Sequence, residues 1–274
     1  MNATTQLERA RVFRALHERG SFIIANCWDG GSARVLGAMG FPALATSSAA
    51  TAYVYGRLDG RISREEALAQ ARIICAASPL PVSGDLENGF GAAPEEVART
   101  IVLAAEAGLV GGSIEDATGE PSQPIFDFNL AVERMAAAVE AARSLPFPFT
   151  LTARTENYLN GRGDLDDTIR RLQAFEKAGA DVLFAPGLPT LDAVRTVCAS
   201  VGKPVNFMVA IPGKSFSVAE LADAGVRRIS LATTTYRAAM GGLAAAARDI
   251  LDTGGFGYLS RIMPGSELEK HLKE

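Results

Sequence analysis

The sequence predicts one parallel (β/α)8 barrel, an α/β fold of the TIM type, with an extra C-terminal helix. Three observations carry this. Short apolar runs alternate with helical patterns eight times. A small residue or Met followed by Gly recurs just before a run, at Met39-Gly40, Ala107-Gly108, Ala178-Gly179 and Ala224-Gly225. The 274 residues match the roughly 250 that such a barrel needs.

In chain order, a polar segment of helical pattern (1–20) precedes the first run, FIIAN at 22–26. The other runs are ALATS (43–47), PVSGD (81–85), VGGSI (110–114), FTLTA (149–153), DVLF (181–184), VNFM (205–208) and RISL (228–231). Their apolar character suits parallel strands buried on both faces. Helices between them carry start signals. Ser63 with Glu66, and Ser217 with Glu220, match the capping box. Pro94 suits a first helical position, with Glu95 and Glu96 where the helix dipole favours carboxylates. Over 164–178, Leu165, Ile169, Leu172 and Phe175 fall on one stripe. Gly40, Gly108, Gly179 and Gly225 stand where a helix end wants a left-handed residue. After the eighth run a helical pattern reaches about residue 252, followed by GGFGYLSRIMPG and a last helix at 265–272. The expected organisation is a single barrel domain over 1–274, with 254–274 as a helical extension. A dinucleotide-binding sheet would want GxGxxG after the first strand, but NCWDGGSA stands there.

Composition narrows the function. The net charge of −4 offers no basic face for nucleic acid. No apolar run approaches the roughly 20 residues of a membrane helix, and the N-terminus lacks a signal-peptide core. The chain reads as cytoplasmic. Cys27, Cys75 and Cys198 are too far apart for a metal motif or a disulfide framework. His17 and His271, the two histidines, lie near the termini, which argues against a Ser-His-Asp triad or an HExxH zinc site.

Charged groups cluster at the ends of consecutive runs, in PVSGDLENGFG (81–91), GGSIEDA (111–117) and TLTARTEN (150–157). Strand ends are where a parallel barrel builds its active site. Alternation turns Asp85 and Glu87 to the same side, and two converging carboxylates repel unless a cation lies between them. Oxygen ligands without His or Cys favour Mg²⁺ or Mn²⁺. Gly84, Gly89 and Gly91 suit a tight turn there. The plainer reading is an acidic loop paired with arginines. Glu115 or Asp116 can join the metal through water, the alternative being a capping Asp116 beside a solvated Glu115. Arg154 suits a carboxylate or a developing enolate oxygen, or else pairs with Glu115 or Glu156. Ser47 and Ser48 end the second run and can hold an oxyanion. Asp59 lies in the following loop. Trp28 and Asn206 end the first and seventh runs, as a packing residue and a candidate carboxylate ligand.

Together, DLENGFG, SIEDA and ARTEN resemble the D-x-D-x-G-[FY]-G, IED and ART elements of the isocitrate lyase / phosphoenolpyruvate mutase superfamily, in the same order and at similar separations. The similarity runs from ANCWDGGSARVLGAMGFPALATSSAA to VNFM. The resemblance implies Mg²⁺ dependence and a 2-oxo acid or its enolate at the barrel mouth. It implies a homodimer or homotetramer exchanging C-terminal helices. It makes Asp85 the direct metal ligand, and Asp59, Glu87 and Glu115 water-mediated ones. Ser47 and Ser48 match the pair whose backbone holds the substrate oxygen, Arg154 contacts substrate, and Trp28 and Asn206 occupy pocket positions. Glu87 replaces the second aspartate of the pattern. The lyases' K-[KR]-C-G-H loop reads ATGEPSQPIFDF here, without Lys, Cys or His, and the mutases' Lys- and Asn-containing loop is missing too. The expected function is Mg²⁺-dependent C–C cleavage of a small 2-oxo or 2-hydroxy dicarboxylate, as in an oxaloacetate decarboxylase or a malate-type lyase. The alternatives are P–C chemistry on phosphonopyruvate and a non-catalytic 2-oxo acid binding protein. Loop 116–128 is the expected lid.

Overall fold

The computed structural model describes residues 5–273. Eight parallel strands pair in chain order and the eighth closes on the first. They are β1 (Phe22–Asn26), β2 (Ala43–Ala45), β3 (Val82–Asp85), β4 (Gly111–Glu115), β5 (Thr150–Arg154), β6 (Val182–Phe184), β7 (Val205–Met208) and β8 (Arg228–Ser230). Each overlaps its expected run, and the fold is the predicted (β/α)8 barrel. β2 stops short of the expected residue 47 because Ser47 leaves the sheet to cap a helix, accepting the Ala50 N–H at 3.2 Å.

The helices are α1 (Gln6–Leu16), α2 (Gly30–Ala38), α3 (Ser48–Val54), α4 (Arg64–Ala77), α5 (Pro94–Glu106), α6 (Phe128–Ser144), α7 (Leu165–Ala178), α8 (Leu191–Ser200), α9 (Val218–Asp223), α10 (Thr234–Thr253) and α11 (Gly265–Leu272). Both expected capping boxes form, at Ser63–Glu66 and Ser217–Glu220, and Pro94 opens α5. Gly40, Gly108, Gly179 and Gly225 adopt φ of 96°, 97°, 109° and 96°. On the amphipathic α7, Leu172 and Phe175 are fully buried while Leu165 and Ile169 pack against the core edge. The main core fills the layer between strands and helices, with Ile101, Phe149, Leu151 and Phe175 inaccessible to solvent. Burying each such side chain stabilises the barrel by roughly 1.5–3 kcal/mol.

The N-terminal end of the barrel is closed by α1. Phe13 packs under β4 so tightly that a Cβ on Gly111 would lie 2.7 Å from Phe13 Cε1 and 2.7 Å from Thr150 O. His17, at the end of α1, packs edge-on against Phe13 and Phe22, at 4.9 and 5.0 Å between ring centroids. Unlike its predecessors, α10 buries none of its 20 residues. After a short 3-10 turn, α11 returns to α2, where Arg34 Nη1 donates to Leu272 O at 3.0 Å. Among the described residues no helix is long and apolar enough to cross a membrane.

Candidate active site

A cavity of about 610 Å³ opens at the C-terminal ends of the strands. Asp85, Glu115 and Arg154 are the last residues of β3, β4 and β5, and Glu115 and Arg154 are direct register partners. Register thus delivers all three to one rim. Arg154 sits at the centre. Its Nε reaches Glu156 in a close contact and Glu115 Oε2 at 3.4 Å, and its Nη1 lies 3.6 Å from Asp85 Oδ1. Its guanidinium also lies over the Phe184 ring, 5.0 Å from the centroid. Both arginine partners weighed from the sequence, Glu115 and Glu156, are therefore real.

Ser48 joins the acidic groups. Its N–H and its hydroxyl both donate to Asp85 Oδ2 at 3.0 Å, and the hydroxyl also reaches Asp59 Oδ1 at 3.2 Å. Ser48 thus orients Asp85 and is not free for a substrate oxygen as arranged here. Ser47 Oγ is committed to the α3 cap, whereas the Ser47 N–H donates to no protein group among the described residues.

Glu87 reaches the cavity by a different route from strand alternation. β3 ends at Asp85, and Gly89 N–H closes a turn on Leu86 O at 2.8 Å. Within that turn Glu87 takes φ of 49°, a left-handed conformation that costs a non-glycine residue free energy and tends to occur at functional sites. Of the three glycines expected to make the turn, only Gly89 uses positive φ. Gly84 lies within β3 and is required by packing, since a Cβ there would meet Leu109 Cδ1 at 2.7 Å. Arg134 of α6 braces the turn from behind. It donates to Asn88 O, to Gly91 O at 2.5 Å and to Ala92 O at 2.6 Å, with its guanidinium 4.0 Å from the Phe126 ring centroid.

The crowding of carboxylates is visible in their proton affinities. Burial, then repulsion from Asp85 and Asp59, pushes Glu87 up to about 8. Burial and Asp85 raise Asp59. Burial raises Glu115 well above the usual range despite Arg154, and raises Glu156 as well. For Arg154 burial works the other way, but Glu156, Glu115 and Asp85 outweigh it and hold the guanidinium above its ordinary value. Asp85 Oδ1 and Glu87 Oε1 are buried without a hydrogen-bond partner. Unsatisfied hard oxygens beside repelling carboxylates fit a divalent cation. Among the described residues no three His, Cys, Asp or Glu are grouped closely enough to hold a metal directly. The donor set therefore suits a cation bound by one carboxylate and by the others through water, which is how Mg²⁺ is commonly held.

Asn206 also lines the cavity, but both ends of its amide are engaged: Oδ1 accepts from Arg228 Nε at 2.9 Å and Nδ2 donates to Ser230 Oγ at 3.0 Å. Trp28 does not touch the cavity. Its ring stands edge-on to Tyr236 at 5.3 Å, and Tyr236 packs on Tyr53, which does line it. Asp116 is neither a helix cap nor solvated. It is 3% exposed, pairs with Arg171 Nη1 at 3.1 Å and accepts from Thr155 Oγ1 and Glu156 N–H. Asp127 is the residue that caps α6. Arg171 also donates to Phe126 O, so the expected lid 116–128 is pinned at both ends, and only 119–123 is exposed throughout. Sequence reasoning missed Arg134, Arg171 and Arg228. The Arg227-Arg228 doublet opening an apolar run was a usable signal, because alternation must turn one of the two inward.

The family model for phosphoenolpyruvate phosphomutase matches residues 13–251. A solved structure from Burkholderia cenocepacia J2315, a candidate lyase or mutase, superposes with a TM-score of 0.96 at 52% identity, covering 98% of this chain and 97% of that one. A 2-methylisocitrate lyase of Shewanella oneidensis is 34% identical over 211 residues, 73% of this chain and 70% of its own. An oxaloacetate decarboxylase of Bradyrhizobium diazoefficiens is 34% identical over 204 residues, 72% and 69% of the two chains. With its strand-end carboxylates gathered about Arg154, this chain belongs to the phosphoenolpyruvate phosphomutase family, within the isocitrate lyase / phosphoenolpyruvate mutase superfamily.

Proposed function

We propose that the protein is a divalent-metal-dependent lyase that breaks a C–C bond of a small 2-oxo or 2-hydroxy dicarboxylate through an enolate. Oxaloacetate decarboxylation is the simplest case and malate-type cleavage the near neighbour. The observation that carries the reading is the pair of unsatisfied carboxylate oxygens, Asp85 Oδ1 and Glu87 Oε1, beside Arg154 in the cavity. Two relatives point the same way, since the reactions they are named for break C–C bonds.

Asp85 would hold Mg²⁺ or Mn²⁺ directly, with Asp59, Glu87 and Glu115 acting through water. When bound, the cation supplies Lewis-acid polarisation of the 2-oxo and carboxylate oxygens. Ser48 fixes the Asp85 carboxylate by two hydrogen bonds to Oδ2, leaving Oδ1 free to ligate. In oxaloacetate the C3–C4 bond breaks, CO2 leaves, and the electron pair enters the C2–C3 enolate, which is then protonated at C3 to give pyruvate. Arg154 stabilises the oxygen where negative charge develops, and Glu156 holds the guanidinium in place. The unused Ser47 N–H is a second donor for that oxygen. Loss of CO2 requires no acid on the leaving side, which suits a loop without Lys, Cys or His.

The test is pyruvate release from oxaloacetate with Mg²⁺, compared with EDTA and with Asp85→Ala, after subtracting uncatalysed metal-driven decarboxylation. Turnover that needs both metal and Asp85 is expected. Tight ligand binding without turnover would leave a binding protein, and faster turnover of phosphonopyruvate would move the chemistry to the P–C bond.

The same reading includes a homo-oligomer, dimer or tetramer, in which a second copy covers α10. Leu243, Leu251 and Phe256 are 63%, 82% and 61% exposed on this arm. Isolated exposed apolar residues are ordinary, but several of them on and just after a helix that buries nothing support this reading. Sedimentation should give a multiple of 28.8 kDa. Leu243→Glu with Leu251→Glu should reduce it to the monomer, and a monomeric wild type would end this part of the proposal.

A further inference from the structure

Arg228 opens β8 and lies inside the barrel below the mouth, lining the same cavity. Its side chain crosses the lumen, donating from Nε to Asn206 Oδ1 at 2.9 Å and from Nη2 to Thr152 Oγ1 at 3.0 Å. Both acceptors are neutral. Among the described residues no carboxylate pairs with it, and Nη1 is buried without any partner. A fully buried guanidinium facing only neutral groups is costly, and natural barrels fill this layer mostly with branched apolar residues. Here the lumen around it is lined by Ser83, Ser113, Asn206 and Ser230. His17, at the end of α1, also has an unpartnered buried nitrogen, but its Nδ1 faces Phe13 O and its free Nε2 is neutral. It leaves the charge on Arg228 uncancelled.

Register locates the two cations relative to one another. Arg154, Phe184, Asn206 and Arg228 are successive partners on β5 to β8. Strands tilted by about 36° and spaced about 4.8 Å make such a row descend, putting the Arg228 backbone roughly 8 Å below that of Arg154. Its guanidinium reaches up to Thr152, two residues or about 6.6 Å of strand before Arg154. A four-carbon diacid can span that interval.

We propose that Arg228 binds a second carboxylate of the ligand in the lumen and so makes the site selective for diacids over the matching monoacids. This rests on the reading of the mouth as a 2-oxo or 2-hydroxy acid site. A carboxylate is the fitting anion because one uncompensated guanidinium balances one negative charge. Arg61 and Arg237, the remaining cavity-lining cations besides Arg154, are exposed.

The experiment compares L-malate with L-lactate, which differ by that one carboxylate, using titration calorimetry of the full chain in saturating Mg²⁺. Wild type should bind malate about 10-fold or more tightly than lactate, the scale of one charge-assisted contact. Arg228→Met should bring the two within about 3-fold, mainly by weakening malate, and Arg228→Lys should keep part of the preference. The melting temperature of Arg228→Met should not fall, because an unpaired buried charge is removed; a bracing role would lower it. Should Arg228→Met fail to fold, Arg228→Gln keeps a donor for Asn206 while removing the charge. A malate preference that survives in Arg228→Met or Arg228→Gln overturns the inference, as does a wild type without the preference. If Asp85-dependent pyruvate release persists in that case, this inference fails alone. If turnover and binding of both acids are absent, the reading of the mouth fails with it.

Discussion

At the mouth of the barrel, Arg154 faces Asp85, Glu115 and Glu156, with Asp59 and Glu87 close behind. Two strand residues deeper, Arg228 faces only Asn206 and Thr152. Asp116–Arg171 shows neither imbalance: it is a buried pair, with Asp167 also on Arg171 Nε at 2.9 Å, and its partners all belong to the protein framework. The contrast separates two uses of buried charge. A balanced pair ties loops to helices. An excess of either sign has no structural compensation and is tolerable where a ligand of the other sign enters.

The strongest way to break that contrast is Asp116→Ala. It leaves Arg171 with Asp167 as its one carboxylate, takes the acceptor from the Thr155 hydroxyl and the Glu156 N–H, and should lower stability by about 3–5 kcal/mol, read from urea unfolding. Next comes Arg154→Gln. It should reduce kcat/KM for oxaloacetate by about 10²–10³-fold, the scale for losing one preorganised electrostatic donor. If Arg154→Gln cost only stability, or Asp116→Ala only activity, the division between structural and functional charge would collapse.

A smaller effect sharpens the floor. Burial, assisted by repulsion from Arg228, depresses His17 to about 3 from an ordinary 6.5. Between those values the unfolded chain binds one more proton than the fold does, so stability falls as pH drops below 6.5 and is complete above it. At pH 5 the loss is about 2 kcal/mol relative to pH 8. His17→Phe, which keeps the aromatic contacts with Phe13 and Phe22, should flatten that part of the stability profile. An unchanged profile would place the acid sensitivity elsewhere.

The barrel was legible because its signals are local: apolar runs, capping pairs such as Ser63–Glu66, and glycines at helix ends. The rim was legible for a related reason, since Asp85, Glu115 and Arg154 are each the last residue of a strand. What stayed hidden depends on partners far along the chain. Asp116 looks like a loop acid until Arg171, 55 residues away, is packed beside it. Arg134 looks like a residue of an outer helix face until it meets the carbonyls of 88–92. Glu87 reaches the cavity that strand alternation predicts for it, but through the turn, because alternation stops where the strand does.

That left-handed turn at Glu87 bears on how the protein tolerates change. Glycine there relieves the conformational cost of positive φ, about 1–2 kcal/mol, and gives back part of it through a more flexible unfolded chain. It also removes a buried carboxylate oxygen that has no partner in the protein. A library screened for heat resistance alone would accumulate Gly at position 87, whereas one screened for turnover would keep Glu. Divergence between the two selections at this single codon would record how much stability the site gives up to place its carboxylate.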